Sequence, residues 1–373
     1  MKILLDPQIF NDQKFGGISR YFAEINVALG NNKSVKIDFP MAYSENLHLK
    51  ETYYFKNSFP VNLMLGLMKM PLLRKKIAKK LKKRNIKETQ KSLKKQDFDL
   101  FVPTYYNTYF LKDIGTKPFV LTVYDMIHEV LPQYFTRDKF TVANKKILME
   151  KATRIIAISE STKNDILKIY PHIEASKIDI VYLSHSIKTD SVKSLSLPGK
   201  YILFVGNRAD YKNFTFFLNA VAPLLKDDPD LFLVCAGGNK FIEKEQKQIA
   251  DLGLSKQLIQ QNFEDDELAS YYTNAKCFVF PSEYEGFGIP VLESMACGCP
   301  VVLAQHSSFP EVAGDAGIYF TLNDAEDLRN KVQMLLQNET VRNDYKQKSL
   351  QQAAKFSWAK TAEDCLKVYE KAV

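Results

Sequence analysis

Residues 277 to 300 read Cys-Phe-Val-Phe-Pro-Ser-Glu-Tyr-Glu-Gly-Phe-Gly-Ile-Pro-Val-Leu-Glu-Ser-Met-Ala-Cys-Gly-Cys-Pro. The apolar run at the start is short, rich in β-forming residues and ended by Pro281, so it predicts a buried strand. A loop with two glycines follows, and Pro290 suits the start of a helix because it fixes φ and lacks an N–H. Gly298 and Pro300 end that helix. A strand, a glycine loop and a helix N-terminus direct backbone N–H groups at one point, which favours a phosphate site.

Two carboxylates flank this predicted phosphate site. Glu285 ends the entry to the loop, and Glu293, eight positions later, is predicted to lie in the first turn of the helix. Ionised acids bind an anion poorly, but they accept hydrogen bonds from neutral hydroxyls on either side of it. A nucleotide sugar has that pattern, with ribose hydroxyls, two phosphates and then sugar hydroxyls. The plainer alternative is a surface loop with two solvated acids.

The whole phrase from Phe280 to Val302 resembles the signature of family 4 retaining glycosyltransferases, with two glutamates separated by seven residues, and in particular their mannosyltransferase-like group. The resemblance implies the GT-B fold, an α/β architecture of two Rossmann-like domains whose parallel sheets face each other across a cleft. It also implies that Glu293 holds the ribose and that Glu285 contacts the transferred sugar. Backbone groups that meet sugar and phosphate would then come from Gly286, Phe287, Gly288, Ile289 and Leu292.

A second set of candidate residues follows the predicted strand that ends at Gly206. Arg208 and Lys212 lie in the next turn, where an arginine fork and a lysine point charge can meet a diphosphate. Two basic residues on a loop are, by themselves, usually solvated. The six-residue step from Gly206 to Lys212 is similar to that of the family's phosphate-binding lysine, and the family's arginine is similarly placed. The resemblance therefore implies that both residues stabilise the leaving diphosphate.

The first half of the chain contributes weaker candidates. Gly16 and Gly17 stand between a predicted strand and a helix, as a tight turn or, as the resemblance implies, as the loop near the donor diphosphate. The segment from Thr122 to Val130 is similar to the family's Val-His-Asp segment, in which the histidine approaches the donor sugar. Asp125 matches that segment, Tyr124 stands in the histidine's place, and His128 is a candidate to reach the cleft instead.

Strand and helix signals alternate along both halves of the chain. Alternation of this kind predicts parallel sheets with helices on both faces. Residues 184–200 are rich in Ser and Lys and lack periodicity. The sequence therefore predicts an acceptor-side domain over residues 1–186 with a returning helix at 357–373, a linker at 187–200, and a nucleotide-sugar-binding domain at 201–356.

Composition is that of a globular protein, with 46% hydrophobic and 25% charged residues. The five cysteines lack metal-ligand spacing and predict buried free thiols of a reducing compartment. The first residues predict a strand instead of a secretory signal, because Asp6 interrupts the apolar run. No apolar stretch reaches the length that spans a bilayer. We therefore expect a cytoplasmic protein, peripheral at the inner face of the membrane.

The net charge of +8 arises in one segment, because residues 61–87 hold ten Lys or Arg and no acid, which leaves −2 for the rest. Its first half is apolar, and Ile77 and Leu81 continue an apolar stripe from Leu73 at i+4. Such a segment can lie on an anionic membrane surface, with the apolar face among the acyl chains. A solvated surface helix and a nucleic-acid patch are the alternatives. We expect no nucleic-acid partner, since the segment lacks interleaved aromatics.

Together with these features, the resemblance implies a hexosyltransferase that needs no metal or other cofactor, with a nucleotide-diphosphate sugar as donor and an oligosaccharide or lipid-linked acceptor. The resemblance implies a role in bacterial surface polysaccharide, lipopolysaccharide or capsule. Asp228-Pro-Asp230 matches the Asp-x-Asp motif of metal-dependent transferases of the other common fold, in which the motif follows a strand. Here it precedes a strand and predicts a turn. Two alternatives stay open: a nucleotide-sugar epimerase of the same fold, and a non-catalytic nucleotide-sugar or glycan-binding protein.

Overall fold

The computed structural model describes residues 1–52, 55, 71–136, 138–190, 192–208 and 210–373. The chain divides into two compact units. Unit 1 comprises Met1–Leu183 and Trp358–Val373, and unit 2 comprises Ser184–Ser357. The segment 187–200, which the sequence predicts as a linker, lies at the start of unit 2.

Unit 1 holds short parallel strands in two sheets, of order β2-β1-β3 and β4-β5-β6. A parallel bridge between Phe101 and Phe119 joins the two sheets. The strands are β1 (Lys2–Leu5), β2 (Lys36–Asp38), β3 (Leu100–Val102), β4 (Val120–Val123), β5 (Arg154–Ala157) and β6 (Ile178–Ile180). The helices of its first segment are α1 (Gln8–Asp12), α2 (Gly17–Gly30), α3 (Leu47–Glu51), α4 (Pro71–Lys95), α5 (Ile127–Val130), α6 (Lys139–Lys151) and α7 (Glu160–Ile169).

Unit 2 is built on one fully parallel sheet of order β12-β11-β10-β7-β8-β9. Its central strands are apolar and buried throughout, as expected where helices cover both faces. The strands are β7 (Tyr201–Val205), β8 (Phe232–Ala236), β9 (Leu258–Gln261), β10 (Cys277–Phe280), β11 (Val301–Ala304) and β12 (Gly317–Phe320). The helices are α8 (Phe214–Asp227), α9 (Glu243–Asp251), α10 (Leu268–Asn274), α11 (Ile289–Ala296), α12 (Phe309–Ala313), α13 (Ala325–Gln337) and α14 (Glu339–Ala353).

The last helix, α15 (Trp358–Ala372), returns to unit 1 and packs on α2. Its single tryptophan lies with its ring centroid 6.4 Å from that of Tyr21 on α2. Further along α15, Cys365 Sγ lies 3.2 Å from the Tyr21 hydroxyl. The predicted α/β class, with parallel sheets in both halves, is confirmed, and so are buried free thiols at the cysteines.

The prediction that Ile77 and Leu81 face lipid was wrong. Leu81 is 4% exposed and packs with Tyr43 inside unit 1, and Ile77 packs against the same cluster. Over the side chains that the structure describes, this apolar stripe of α4 therefore packs on the protein's own core. The apolar half of the predicted membrane segment, residues 61–70, lies outside the described residues. No helix within the described part of the chain is long and apolar enough to cross a bilayer.

Candidate active site

The order in which strands are added to the sheet of unit 2 reverses between β7 and β10. From β7 the chain adds β8 and β9 on one side, and it then crosses to add β10, β11 and β12 on the other. In open parallel sheets, ligands bind outside the carboxyl ends of the strands at such a switch point. The two loops that leave β7 and β10 meet there, because the Glu283 N–H donates to the Tyr211 carbonyl at 2.8 Å.

Lys212 and Glu285, each on one of these loops, form an ion pair between Nζ and Oε1. Their side chains are only 15% and 16% exposed. Nζ also lies 4.9 Å from the centre of the Phe280 ring and 5.1 Å from that of Tyr211. Burial lowers the pKa of Lys212, but the charge of Glu285 and the contact with Tyr211 outweigh it and raise that pKa above its ordinary value. Lys212 is thus a firmly protonated cation at the switch point.

The backbone of Glu285 is anchored by two serines that follow β11. Ser307 Oγ donates to the Glu285 carbonyl at 2.5 Å and accepts from its N–H at 3.2 Å, and Ser308 Oγ donates to the same carbonyl at 3.0 Å. Ser307 has φ of 56°, in the left-handed region. No local pattern around Glu285 predicts these anchors, which come from the loop after the next strand.

Glu293 does not lie in the first turn of α11, contrary to the sequence prediction. Gly288 adopts φ of 93° and caps the helix, so α11 begins at Ile289, one residue before the proline. Glu293 is then the fifth helical residue, in the second turn. It lies close enough to the hydroxyl of Tyr272 that its charge, added to the larger effect of burial, raises the pKa of that hydroxyl well above its usual range.

Two residues of the glycine loop and the helix start have side chains buried in the protein. Phe287 is 2% exposed and Leu292 is fully buried, so their side chains belong to the interior of unit 2. The Phe287 ring centroid lies 6.0 Å from that of Phe356. A Cβ added at Gly288 would lie 3.3 Å from both Phe309 and Val291. Phe287 and Leu292 can therefore offer a ligand only their backbone groups, whereas Gly286 and Ile289, in the same loop, are half-buried.

Arg208 is engaged away from Lys212. Its Nε donates to Glu245 Oε1 at 2.8 Å, and its side chain is 3% exposed. The guanidinium lies 4.8 Å from the centre of the Phe241 ring, and its remaining N–H groups donate to the carbonyls of residues 237–240. The structure thus brings together Lys212 and Glu285 but not Arg208, whose contact with a diphosphate stays a prediction.

In unit 1, the glycine pair begins helix α2. Gly16 is the N-cap and Gly17 the first helical residue, and the Gly16 N–H donates to His48 Nε2 at 3.2 Å. A Cβ on Gly16 would lie 2.7 Å from the Gln13 side-chain oxygen. The predicted strand and the helix after the glycines are present as β1 and α2, but the short helix α1 lies between the strand and the glycines. A role of the two glycines beside a phosphate stays a prediction.

The loop after β4 carries the remaining candidates. The Asp125 carboxylate accepts the Ile127 N–H at 3.1 Å and is 32% exposed. His128 is 14% exposed, with Nε2 3.3 Å from the Asp138 carboxylate. Tyr124 is 5% exposed, and its hydroxyl donates to the Thr104 carbonyl at 3.0 Å. The tyrosine hydroxyl is therefore used inside the core, and its position does not supply the imidazole of the family's segment.

Comparison with known proteins agrees with this architecture. Residues 187–352 match the family model described as glycosyl transferases group 1. Over 99% of both chains, the structure superposes with a TM-score of 0.70 on Anabaena HepE solved with UDP and glucose, at 15% identity. It superposes with a TM-score of 0.72 on sucrose-phosphate synthase from Thermosynechococcus elongatus, covering 99% and 98% of the two chains at 17% identity. The fold is that of the GT-B class of glycosyltransferases, and residues 187–352 form a glycosyl transferases group 1 domain.

Within that class, the sequence is similar to O-antigen mannosyltransferases. It is 27% identical to the O-antigen chain mannosyltransferase B of Escherichia coli, over 67% of this chain and 70% of that protein. It is 32% identical to the serotype-specific mannosyltransferase WbdA of Escherichia coli, over 59% of this chain but only 29% of that longer protein. The chain therefore carries a glycosyl transferases group 1 domain, and the predicted resemblance and enzyme class, a hexosyltransferase, are confirmed.

Proposed function

We propose that the protein is a retaining, metal-independent glycosyltransferase that moves a hexose from a GDP- or UDP-linked sugar to a hydroxyl of a glycan acceptor. The observation that carries this proposal is the meeting of Lys212 and Glu285 at the switch point of the unit 2 sheet. One residue offers a cation for a phosphate and the other an acceptor for a sugar hydroxyl. Mannose is the first sugar to test, because the two Escherichia coli proteins to which the sequence is similar are named mannosyltransferases.

Transfer breaks the bond between the anomeric carbon and the leaving phosphate oxygen and forms a bond from that carbon to the acceptor oxygen. Negative charge grows on the leaving diphosphate, and fixed cations and oriented N–H groups stabilise it without reorganisation. Lys212 and the start of α11 supply these groups, with Arg208 and the Gly16-Gly17 loop as further candidates. Glu285 positions the sugar, and Glu293 accepts from the ribose. The acceptor enters on the face of the leaving group, and its proton passes to the departing phosphate.

The acceptor is proposed to be an oligosaccharide or a lipid-linked glycan of a bacterial surface polysaccharide. One similar protein, from Campylobacter jejuni, is named as an N-acetylgalactosaminyltransferase acting on a diphospho-undecaprenol substrate, at 28% identity over 62% of each chain. The exposed basic face of α4, which includes Lys75, Lys76, Lys79 and Lys80, supports attachment to an anionic membrane surface. The protein would then work at the inner face of the cytoplasmic membrane.

The test begins with a thermal-shift panel of GDP-, UDP- and dTDP-sugars on the full-length protein, followed by transfer assays with the sugar that stabilises it most. Replacing Lys212 by Ala removes transition-state charge stabilisation and should lower kcat by about 100- to 1000-fold. Glu293→Ala should act mainly on KM for the donor. Lys200→Ala, at the amino end of β7, is the matched control and should leave the rate unchanged. EDTA should also leave it unchanged. A normal kcat for Lys212→Ala together with an unchanged donor KM for Glu293→Ala would overturn the proposal.

Two other functions predict different products. An epimerase of the same fold converts UDP-GlcNAc in the absence of any acceptor, so product analysis with that nucleotide sugar alone identifies it. A non-catalytic binding protein would show a thermal shift without release of nucleoside diphosphate under any acceptor tested. Acceptor-dependent release of nucleoside diphosphate, together with a longer glycan, supports the transferase.

A further inference from the structure

The ion pair between Lys212 and Glu285 joins two groups that the proposed reaction assigns to different parts of one ligand. The lysine serves a phosphate, and the glutamate serves a sugar hydroxyl. In this structure the lysine and the glutamate are paired with each other instead. Both side chains are largely shielded from solvent, at 15% and 16% exposed. A ligand whose phosphate attracts the lysine therefore weakens the ion pair and leaves the glutamate carboxylate with less of its counter-charge.

The loops hold both residues in place, so that backbone motion does not relieve this conflict. Glu285 is fixed through its carbonyl and N–H by the two serines after β11. Lys212 ends the 3₁₀ turn Asp210–Lys212, which is closed by the Asn213 N–H donating to the Asp210 carbonyl at 3.0 Å. The bond between Glu283 and Tyr211 ties one loop to the other. When the lysine turns to a phosphate, the anchored backbone of Glu285 keeps its carboxylate within side-chain reach of that phosphate.

We propose that the Lys212–Glu285 pair makes the site selective for an intact sugar nucleotide over a nucleoside diphosphate. A nucleoside diphosphate takes the lysine and leaves a shielded carboxylate beside its own negative charge, which is costly. A sugar nucleotide also pairs its phosphate with the lysine, but one of its sugar hydroxyls donates a hydrogen bond to the carboxylate. Glu285 therefore favours donor entry and product release, a role beyond orienting the sugar. This inference rests on the proposed function.

The test is calorimetric titration of the full-length protein with GDP, UDP and the corresponding sugar nucleotides. Glu285→Gln removes the negative charge but keeps an oxygen that accepts from a hydroxyl. We expect it to bind nucleoside diphosphate about tenfold more tightly than wild type, about 1.4 kcal/mol. Its affinity for the sugar nucleotide should change by less than about threefold, so that the preference for the sugar nucleotide falls. Glu285→Ala should also tighten nucleoside diphosphate binding, and it should weaken sugar nucleotide binding.

Asp228→Asn is the matched control, because it also breaks a lysine–carboxylate pair of unit 2. Asp228 lies 2.5 Å from Lys200 at the amino edge of the sheet, away from the switch point. We expect it to leave both affinities unchanged. If neither Glu285 variant binds nucleoside diphosphate more tightly than wild type, or if both ligands tighten equally, the inference is overturned while the proposed function stands. If wild type binds neither ligand, the proposed function fails and the inference fails with it.

Discussion

Lys145 donates from Nζ to Glu129 Oε2 at 2.9 Å inside unit 1, where the two side chains are 0% and 4% exposed. Nζ also donates to the Asp125 carbonyl at 3.0 Å and lies 5.3 Å from the centre of the Tyr106 ring. One buried cation thus joins α6 to the turn after β4. That turn carries Asp125 and His128, two of the unit 1 candidates for substrate contact.

Replacing Lys145 by Met should lower the free energy of unfolding by about 3–5 kcal/mol, because it leaves the Glu129 carboxylate buried without its cation. Urea unfolding followed by circular dichroism measures the change. Lys146→Met is the matched control on the next residue, whose side chain is 50% exposed and 3.9 Å from Glu150. It should cost less than about 0.5 kcal/mol. Equal losses from the two substitutions would show that the buried pair contributes no more to the free energy of unfolding than the exposed one.

The loop after β8 depends on a glycine that has no room for a side chain. Gly238 has φ of 73°, and a Cβ there would lie 2.3 Å from the Gly206 carbonyl oxygen, next to Arg208. Gly253 has nearly the same φ, 74°, with open space around it. Gly253→Ala should therefore cost about 1–2 kcal/mol from backbone conformation alone.

Gly238→Ala should cost at least about 2 kcal/mol more than Gly253→Ala, because a backbone atom must shift to admit the methyl group. At about 2–4 °C per kcal/mol, the two midpoints of thermal unfolding should be well separated. The loop also receives a hydrogen bond from Arg208, in the turn after β7, whose guanidinium donates to the Gly238 carbonyl at 3.3 Å. Indistinguishable midpoints would show that the backbone shift that admits the methyl group at Gly238 costs no measurable free energy, against this prediction.

The centre of the site could be predicted from sequence because its signals are local. The run Cys277–Phe280 forms β10 as predicted, and a helix follows the glycine loop. The error at Glu293 comes from one dihedral angle, since the left-handed Gly288 starts the helix at Ile289. A helix that begins one residue earlier than predicted makes Glu293 its fifth residue instead of its fourth, which places it in the second turn. Sequence patterns seldom fix helix ends that closely.

The partners of the site residues could not be predicted, because they lie far apart in the chain. Arg208 pairs with Glu245, and the anchors of Glu285 come from residues 307 and 308. The stripe of α4 illustrates a different limit. An amphipathic pattern is satisfied equally by lipid or by the protein's own core. Only the tertiary structure decides that Leu81 packs on Tyr43.

The basic face of α4 should still attach the protein to anionic membranes. Changing its exposed lysines at positions 75, 76, 79 and 80 to Gln should release the protein from vesicles that contain phosphatidylglycerol, since each lysine near the surface contributes about 1 kcal/mol. Cosedimentation measures the bound fraction. The matched control changes four exposed lysines of unit 2, at positions 226, 244, 247 and 256, by the same total charge. Unchanged sedimentation of the α4 variant would rule out this attachment.

Asp6 should give unit 1 a pH-dependent stability. Its carboxyl is fully buried at the end of β1, and burial raises its pKa from 3.8 to about 6, although hydrogen bonds from Tyr109 at 2.6 Å and Thr104 at 3.2 Å lower it. Between these two pKa values the folded protein keeps a proton that the unfolded chain has released. The stabilisation is thus complete below pH 3.8 and is lost as the pH rises through about 6, by roughly 3 kcal/mol in total.

Asp6→Asn abolishes this titration and serves as its reference. Urea unfolding at pH values from 4 to 7 should show wild type losing about 3 kcal/mol relative to the Asn variant over that range. Tyr109→Phe removes a hydrogen bond that holds the pKa of Asp6 down. In that variant the pKa should rise further, and the loss of stability should continue above pH 6. Parallel profiles for wild type and Asp6→Asn would mean that the carboxyl titrates alike in the folded and unfolded chains, against the effect of its burial.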